Sequence, residues 1–246
     1  ELSQSLLALL GPDDDPRERV ELMERPLKNE EGQVAGDLAF KLADEWTTLE
    51  DDEGVERVLE LGYQLCPEDE KLRERLEGWY RDRSEWQKLC ELQVKEAERR
   101  ADSVKSVELL RSASTIYDES LFDPEASIRC LAQARQYGPD DTALLRDLIE
   151  KRRGAGDVPT AIGELTEVID RFGEDHPARS DLLVLRAELH GETNNAAAAV
   201  QDLEGAYDLT GEALAEKLLE GLERLCTNAA AEGDEEAERS STLRAI

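Results

Sequence analysis

Apolar residues in this chain recur at helical intervals, and the helices they mark come in pairs. Leu38-Leu42-Trp46 and Val55-Leu59-Leu61 space their side chains two to four residues apart, the period of a one-sided helix rather than the alternation of a strand. Short turns separate the members of a pair: Asp51-Asp52-Glu53-Gly54, Phe122-Asp123-Pro124, Gly154-Ala155-Gly156-Asp157, Thr193-Asn194-Asn195 and Glu232-Gly233-Asp234. Longer breaks between pairs carry helix-stopping chemistry, at Cys66-Pro67, Gly138-Pro139, Gly173 and Gly211. Superposing the pairs predicts units 1–35, 36–69, 70–105, 106–141, 142–179, 180–217 and 218–246. Small or apolar residues recur eight into the unit, at Ala8, Ala43, Ala113, Ile149, Ala187 and Leu225. A second series opens the second helix, at Val20, Val55, Leu89, Ser127, Ala161, Ala199 and Ala237. Short side chains at such points let paired helices approach, and units of this size bury their apolar faces only against neighbours.

Composition agrees with a thin, repetitive body. The chain has 246 residues, 39% hydrophobic and 4% aromatic, which is little for one thick core. High charge with low hydrophobicity is also the signature of disorder, but the sustained helical period argues for folded helices. With 30 basic and 59 acidic residues the net charge is −29, which repels nucleic-acid phosphates and anionic membranes. No apolar run approaches the roughly 18 residues of a membrane span. The chain begins at Glu1 without a visible targeting segment and ends at Ile246 in a helical pattern; it reads as a fragment of a longer, cytoplasmic polypeptide. Cys66, Cys90, Cys130 and Cys226 form no CxxC pair and only His176 and His190 accompany them, so no metal site is expected. Buried free thiols, suited to a reducing compartment, are expected instead.

The chemistry-bearing patterns have structural readings. Asp13-Asp14-Asp15, Glu50-Asp51-Asp52-Glu53 and Asp234-Glu235-Glu236 fall where carboxylates cap a helix and complement its dipole. A calcium loop placed with Gly54 at position 6 puts Leu49 at position 1, where a ligand is needed. His176 lies in an inter-unit loop before Pro177, and His190 takes the aromatic position of its unit. No phosphate-binding glycine motif occurs, and Gly154-Ala155-Gly156-Asp157 reads as a helix-ending turn followed by a cap. No catalytic residue and no cofactor are expected; the chain is predicted not to be an enzyme.

The units resemble the tetratricopeptide repeat (TPR) family. The unit from Gly36 matches its pattern with Ala39, Leu42, Ala43, Trp46, Val55, Leu59, Gly62 and Pro67; the unit from Ser180 does so with Leu183, Arg186, Ala187, His190, Ala199, Leu203, Ala206 and Gly211. Glu77 at a small position, Glu96 where Ala is usual and units of 36–38 residues depart from it. The resemblance implies an all-α fold, a right-handed α-solenoid of antiparallel helix hairpins. It also implies a concave face built from positions 2, 5, 9 and 12 of the first helices. That face would include Phe40, Asp44, Lys71, Glu74, Arg81, Leu110, Tyr117, Arg146, Glu150, Arg153, Val184 and Glu188. Arg146, Arg152 and Arg153 form a local basic patch that would take a carboxylate. The carboxylate clamp of chaperone-binding TPR proteins is missing, since Asp44 and Glu74 stand on the face where it needs cations and amides. The implied function is a protein-interaction scaffold that binds a protein or peptide segment of basic character. An assembly or secretion chaperone and a structural spacer are the alternatives.

Overall fold

The computed structural model describes residues 15–100, 102–174, 176–210 and 223. Residues 1–14 of the expected first unit, 211–217 of that at 180–217 and all but residue 223 of that at 218–246 lie outside them, as do Asp13, Asp14, Asp234-Glu235-Glu236 and Cys226. Among the described residues every element is helical. They are α1 (Pro16–Glu24), a 3₁₀ turn (Arg25–Asn29), α2 (Gly32–Thr48), α3 (Asp52–Leu65), α4 (Glu70–Asp82), α5 (Trp86–Arg99), α6 (Ser103–Glu119), α7 (Pro124–Tyr137), α8 (Thr142–Gly154), α9 (Val158–Arg171), α10 (Arg179–Glu192) and α11 (Ala196–Thr210). The chain forms two compact units that divide within α5, after Leu92. In each, consecutive helices pack antiparallel as hairpins, and each hairpin stacks on the next. The fold class is an all-α solenoid of helix hairpins.

One turn geometry makes the hairpins. In the α2–α3 turn Glu50 adopts a left-handed φ of 54°. Its N–H donates to the Thr47 carbonyl (3.0 Å) while the Asp51 N–H donates to Trp46 (3.1 Å). This is the Schellman arrangement, which satisfies orphan carbonyls at a helix end. Asp51 then caps α3 by accepting the Gly54 N–H at 2.8 Å, so one residue closes one helix and opens the next. Ser84, Gly156 and Asn194 repeat the left-handed residue, with Glu85, Asp157 and Asn195 following and donating to Tyr80, Arg152 and His190. The caps read from the acidic sequence recur between hairpins too. Asp69 accepts from Lys71 and Leu72 (3.0 and 3.2 Å), Asp102 from Val104 and Asp141 from Leu144.

Small residues set how closely the members of a pair approach. A Cβ on Gly62 would stand 2.3 Å from the Ala39 Cβ, and one on Gly54 would enter the Trp46 ring at 2.5 Å. The core is correspondingly a ribbon. Leu144 and Leu148 on α8 pack with Leu110, Leu131 and Ala134 of the preceding hairpin, whereas Leu145 and Ile149 join Ala161, Leu165 and Leu183 of the following helices. Cys66, Cys90 and Cys130 are buried in this interior and form no disulfide, and burial pushes the Cys130 thiol up to about 11. The two departures at Glu77 and Glu96 are resolved as ion pairs along their own helices. Glu77 is held by Arg73; Glu96, fully buried, is held by Arg99 (3.0 Å) and Arg100 (2.5 Å).

Gly62→Ala should lower stability by about 1–3 kcal/mol, because the α2–α3 contact has no room for the methyl group. Gly78→Ala, in α4 with open space around its Cβ, should raise it by roughly 0.5–1 kcal/mol. Urea unfolding followed by circular dichroism checks both signs.

Candidate partner-binding face

In the first unit the expected face is built from α2 and α4. Phe40 and Asp44 sit one turn apart on α2, and the structure gives both to Arg75 of α4. The Arg75 guanidinium stacks on the Phe40 ring at 4.4 Å, pairs with Asp44 at 2.6 Å and donates to the Phe40 carbonyl at 3.3 Å. Lys71, Glu74 and Arg81 are exposed on α4. Arg75 itself was not singled out by the repeat positions, although it lies 31 residues after Asp44, close to one repeat.

In the second unit the register of one helix needs correction. Leu110 is fully buried, in the cluster with Ala97, Leu131 and Leu144, and it does not face a partner. The cause is one extra residue in the α6–α7 turn. In the sister turns the N–H after the left-handed residue reaches back five residues, as from Asp51 to Trp46; here Asp123 reaches back six, to Tyr117, at 2.8 Å. Tyr117 therefore corresponds to Trp46, and the unit begins at residue 107 rather than 106. Glu108, Arg111, Thr115 and Asp118 then take positions 2, 5, 9 and 12, and all four reach the surface. The small pair of this hairpin is Ser114 with Ser127, whose hydroxyls bond at 2.8 Å inside the core.

The surface formed by α6, α8 and α10 is an ionic lattice. Arg111 of α6 pairs with Asp147 of α8, and Lys151 of α8 reaches back to Asp118 of α6 at 2.5 Å. Arg146 pairs forward with Asp181 of α10 at 3.2 Å; Arg153 pairs with Glu192 and with Glu150 at 3.6 Å. Glu192 holds the Arg153 guanidinium more firmly protonated than an isolated one. Arg152 turns away to Asp157 and Glu164, both at 2.9 Å. The three arginines expected to take a partner's carboxylate thus already hold carboxylates of the chain itself. Glu108 and Glu188 are exposed on the same helices, while Val184 is half-buried between α10 and its neighbours.

Below this surface the α10–α11 hairpin is stitched by a buried cluster. Arg186 of α10 bonds both oxygens of Asp202 on α11 (2.8 and 2.5 Å) and the Thr166 hydroxyl of α9 at 3.0 Å. His190 stands one turn on, with Nε2 3.9 Å from Asp202 and a buried Nδ1 that has no partner. Burial holds His190 below the ordinary imidazole range, Arg186 adds to that, and Asp202 opposes it. His176 is also structural: its ring stacks on Phe172 at 3.8 Å and its Nδ1 accepts the Ala178 N–H. Among the described residues no group of three or more His, Cys, Asp or Glu side chains could hold a metal ion, and no helix is long and apolar enough to cross a membrane.

No protein-family model and no curated protein matches this chain. Among solved structures it is similar to Naa15/Naa10 bound to HypK-THB, at 12% identity and a TM-score of 0.55, over 97% of this chain and 35% of that one. The C-terminal part of a TPR repeat-containing protein from Cytophaga hutchinsonii is 10% identical with a TM-score of 0.47, covering 98% and 91% of the two chains. YrrB, a TPR protein with an unusual peptide-binding site, is 13% identical with a TM-score of 0.39, covering 71% of this chain and 86% of its own. With the repeated hairpins described above, the class is defined: the chain has an all-α helical-repeat fold of stacked hairpins, similar in fold to the Naa15/Naa10 structure.

Because the folded state disfavours the His190 imidazolium, the unfolded chain binds more protons at this residue. Its contribution to stability should be present above the unfolded value of about 6.5 and be lost as the pH falls below it. His190→Phe should flatten the melting temperature between about pH 5 and pH 7 relative to the parent, where histidine is the side chain that titrates.

Proposed function

We infer that the chain is a protein-interaction scaffold whose first-helix faces receive an extended, basic segment of a partner protein. The observation that carries this reading is the charge left over on the face of α6, α8 and α10. Its cations Arg111, Arg146, Lys151 and Arg153 are matched by acids of adjacent helices, while Glu108 and Glu188 stand exposed. A net charge of −29 extends that field over the surface, which speeds encounter with cationic partners and turns away nucleic acid. Val184 is the apolar contact this reading places beneath such a segment on α6, α8 and α10. Buried thiols outside any disulfide suit a reducing, cytoplasmic setting.

The same lattice favours a second reading, a structural spacer. Arginines that hold neighbouring helices together are stiffening elements, and a surface neutralised from within has less to offer a ligand.

Fluorescent extended peptides graded from basic to acidic, with and without an apolar anchor, separate the two. The scaffold reading expects basic, anchored peptides to bind, more weakly as salt rises. The double reversal Glu108→Lys, Glu188→Lys should cost them about tenfold in affinity, or about 1.4 kcal/mol. Absence of binding by every peptide would leave the spacer; binding indifferent to charge and to the reversal would reject the charge-based reading.

A further inference from the structure

Phe122 is 81% exposed, in the turn between α6 and α7. Its backbone φ of 53° lies in the left-handed region, where Glu50, Ser84, Gly156 and Asn194 stand in the sister turns. Left-handed backbone costs a residue with a Cβ about 1–2 kcal/mol, and Gly or Asn meets that demand with less strain. An aromatic ring gains nothing there from burial, because this ring has none. Phe122 is therefore the most expensive occupant among the five turns, in the one turn that is a residue longer than the others. Strain kept at an exposed position points to use.

The surroundings define what would use it. Lys151 of α8 reaches the end of α6 at Asp118, so the α6–α7 and α8–α9 turns lie at the same edge of the second unit. The second of these carries Gly154, Ala155 and Gly156, all exposed, and the space beside both glycines is open. Phe122 accordingly stands proud beside a low shoulder. Glu119 and Glu125 are exposed on either side of it, while Asp123 is engaged in capping α7 and Asp118 in holding Lys151.

We propose that Phe122 is the anchor of a second interaction surface, at the turn edge rather than on the first-helix face, and that its partner is a protein presenting an apolar pocket rimmed by Lys or Arg. The ring fills the pocket, the glycine-rich shoulder lets the partner come close, and Glu119 and Glu125 meet the basic rim. A fully desolvated aromatic at the centre of such a patch, ringed by polar contacts, is the arrangement that concentrates binding energy.

The test places the photo-crosslinking residue p-benzoylphenylalanine at position 122, and at Ser84 as the control turn, in the full chain expressed in its native cells. The crosslinked protein is then purified, and its affinity is measured against the parent, Phe122→Gly and Phe122→Trp at low and high salt. An adduct specific to position 122 is expected, mapping to an apolar pocket with a basic rim. Phe122→Gly should lose about thirtyfold in affinity, the fold-change of a hot-spot aromatic, while its melting temperature stays level or rises because the strain is relieved. Phe122→Trp should retain most of the affinity, and rising salt should weaken it. Lack of a 122-specific adduct, an adduct with a second copy of this chain, or equal binding by Phe122→Gly overturns the proposal. Failure of the basic-peptide experiment on the first-helix face would leave it standing.

Discussion

Each interior helix of this chain has to bury two stripes at once. On α8 the pair Leu144 and Leu148 belongs to the hairpin before it, and Leu145 and Ile149, the adjacent residues, belong to the helices after it. A helix that must satisfy two neighbours in sequence order cannot rotate to favour one. That requirement fixes its phase, and with it which residues remain outside. It also explains how a chain with 4% aromatic content folds without a central core. Stability is distributed over nearest-neighbour interfaces, so each is thin and none needs large side chains.

The acidic excess, which looks extravagant as composition, divides into physical tasks. Asp51, Asp69, Asp102, Asp123 and Asp141 cap helices. Within each unit others tie the first helices of neighbouring hairpins together, through pairs such as Asp44 with Arg75 and Asp181 with Arg146. Singly these exposed pairs are weak, of order 0–1 kcal/mol, but they run in the direction in which hairpins stack. Arg186 with Asp202, buried and bidentate, and Glu96 with Arg99 and Arg100 differ; removing one partner there would strand a charge inside the protein.

Much of this was legible from the residues. Helical spacing, stop signals and recurring small positions identified the hairpins, and the acidic turns announced their caps. The surface was harder. Leu110 looked exposed because matching repeats by the small residue Ala113 set the phase of α6 one residue out; only the hydrogen bond from Asp123 to Tyr117 shows that the turn is longer by one. The arginines of α8 looked available because their partners, Asp181 and Glu192, lie 35 and 39 residues away. Charge matching at one repeat's separation is the signal that could have revealed them, and it emerges only once the repeats are in register. Phe122 left no mark as an anchor, since a left-handed backbone angle is invisible in a residue's identity.

The longer α6–α7 turn shows where this architecture stores its history. A residue added there lengthens the connection while the helices on either side keep their seating, with Ser114 still meeting Ser127. A residue added inside α6 would swing every later side chain by about 100° around the axis and unseat both stripes. Insertions and deletions should therefore accumulate at the turns and be purged from the helices, so related chains would drift in repeat length long before they drift in architecture.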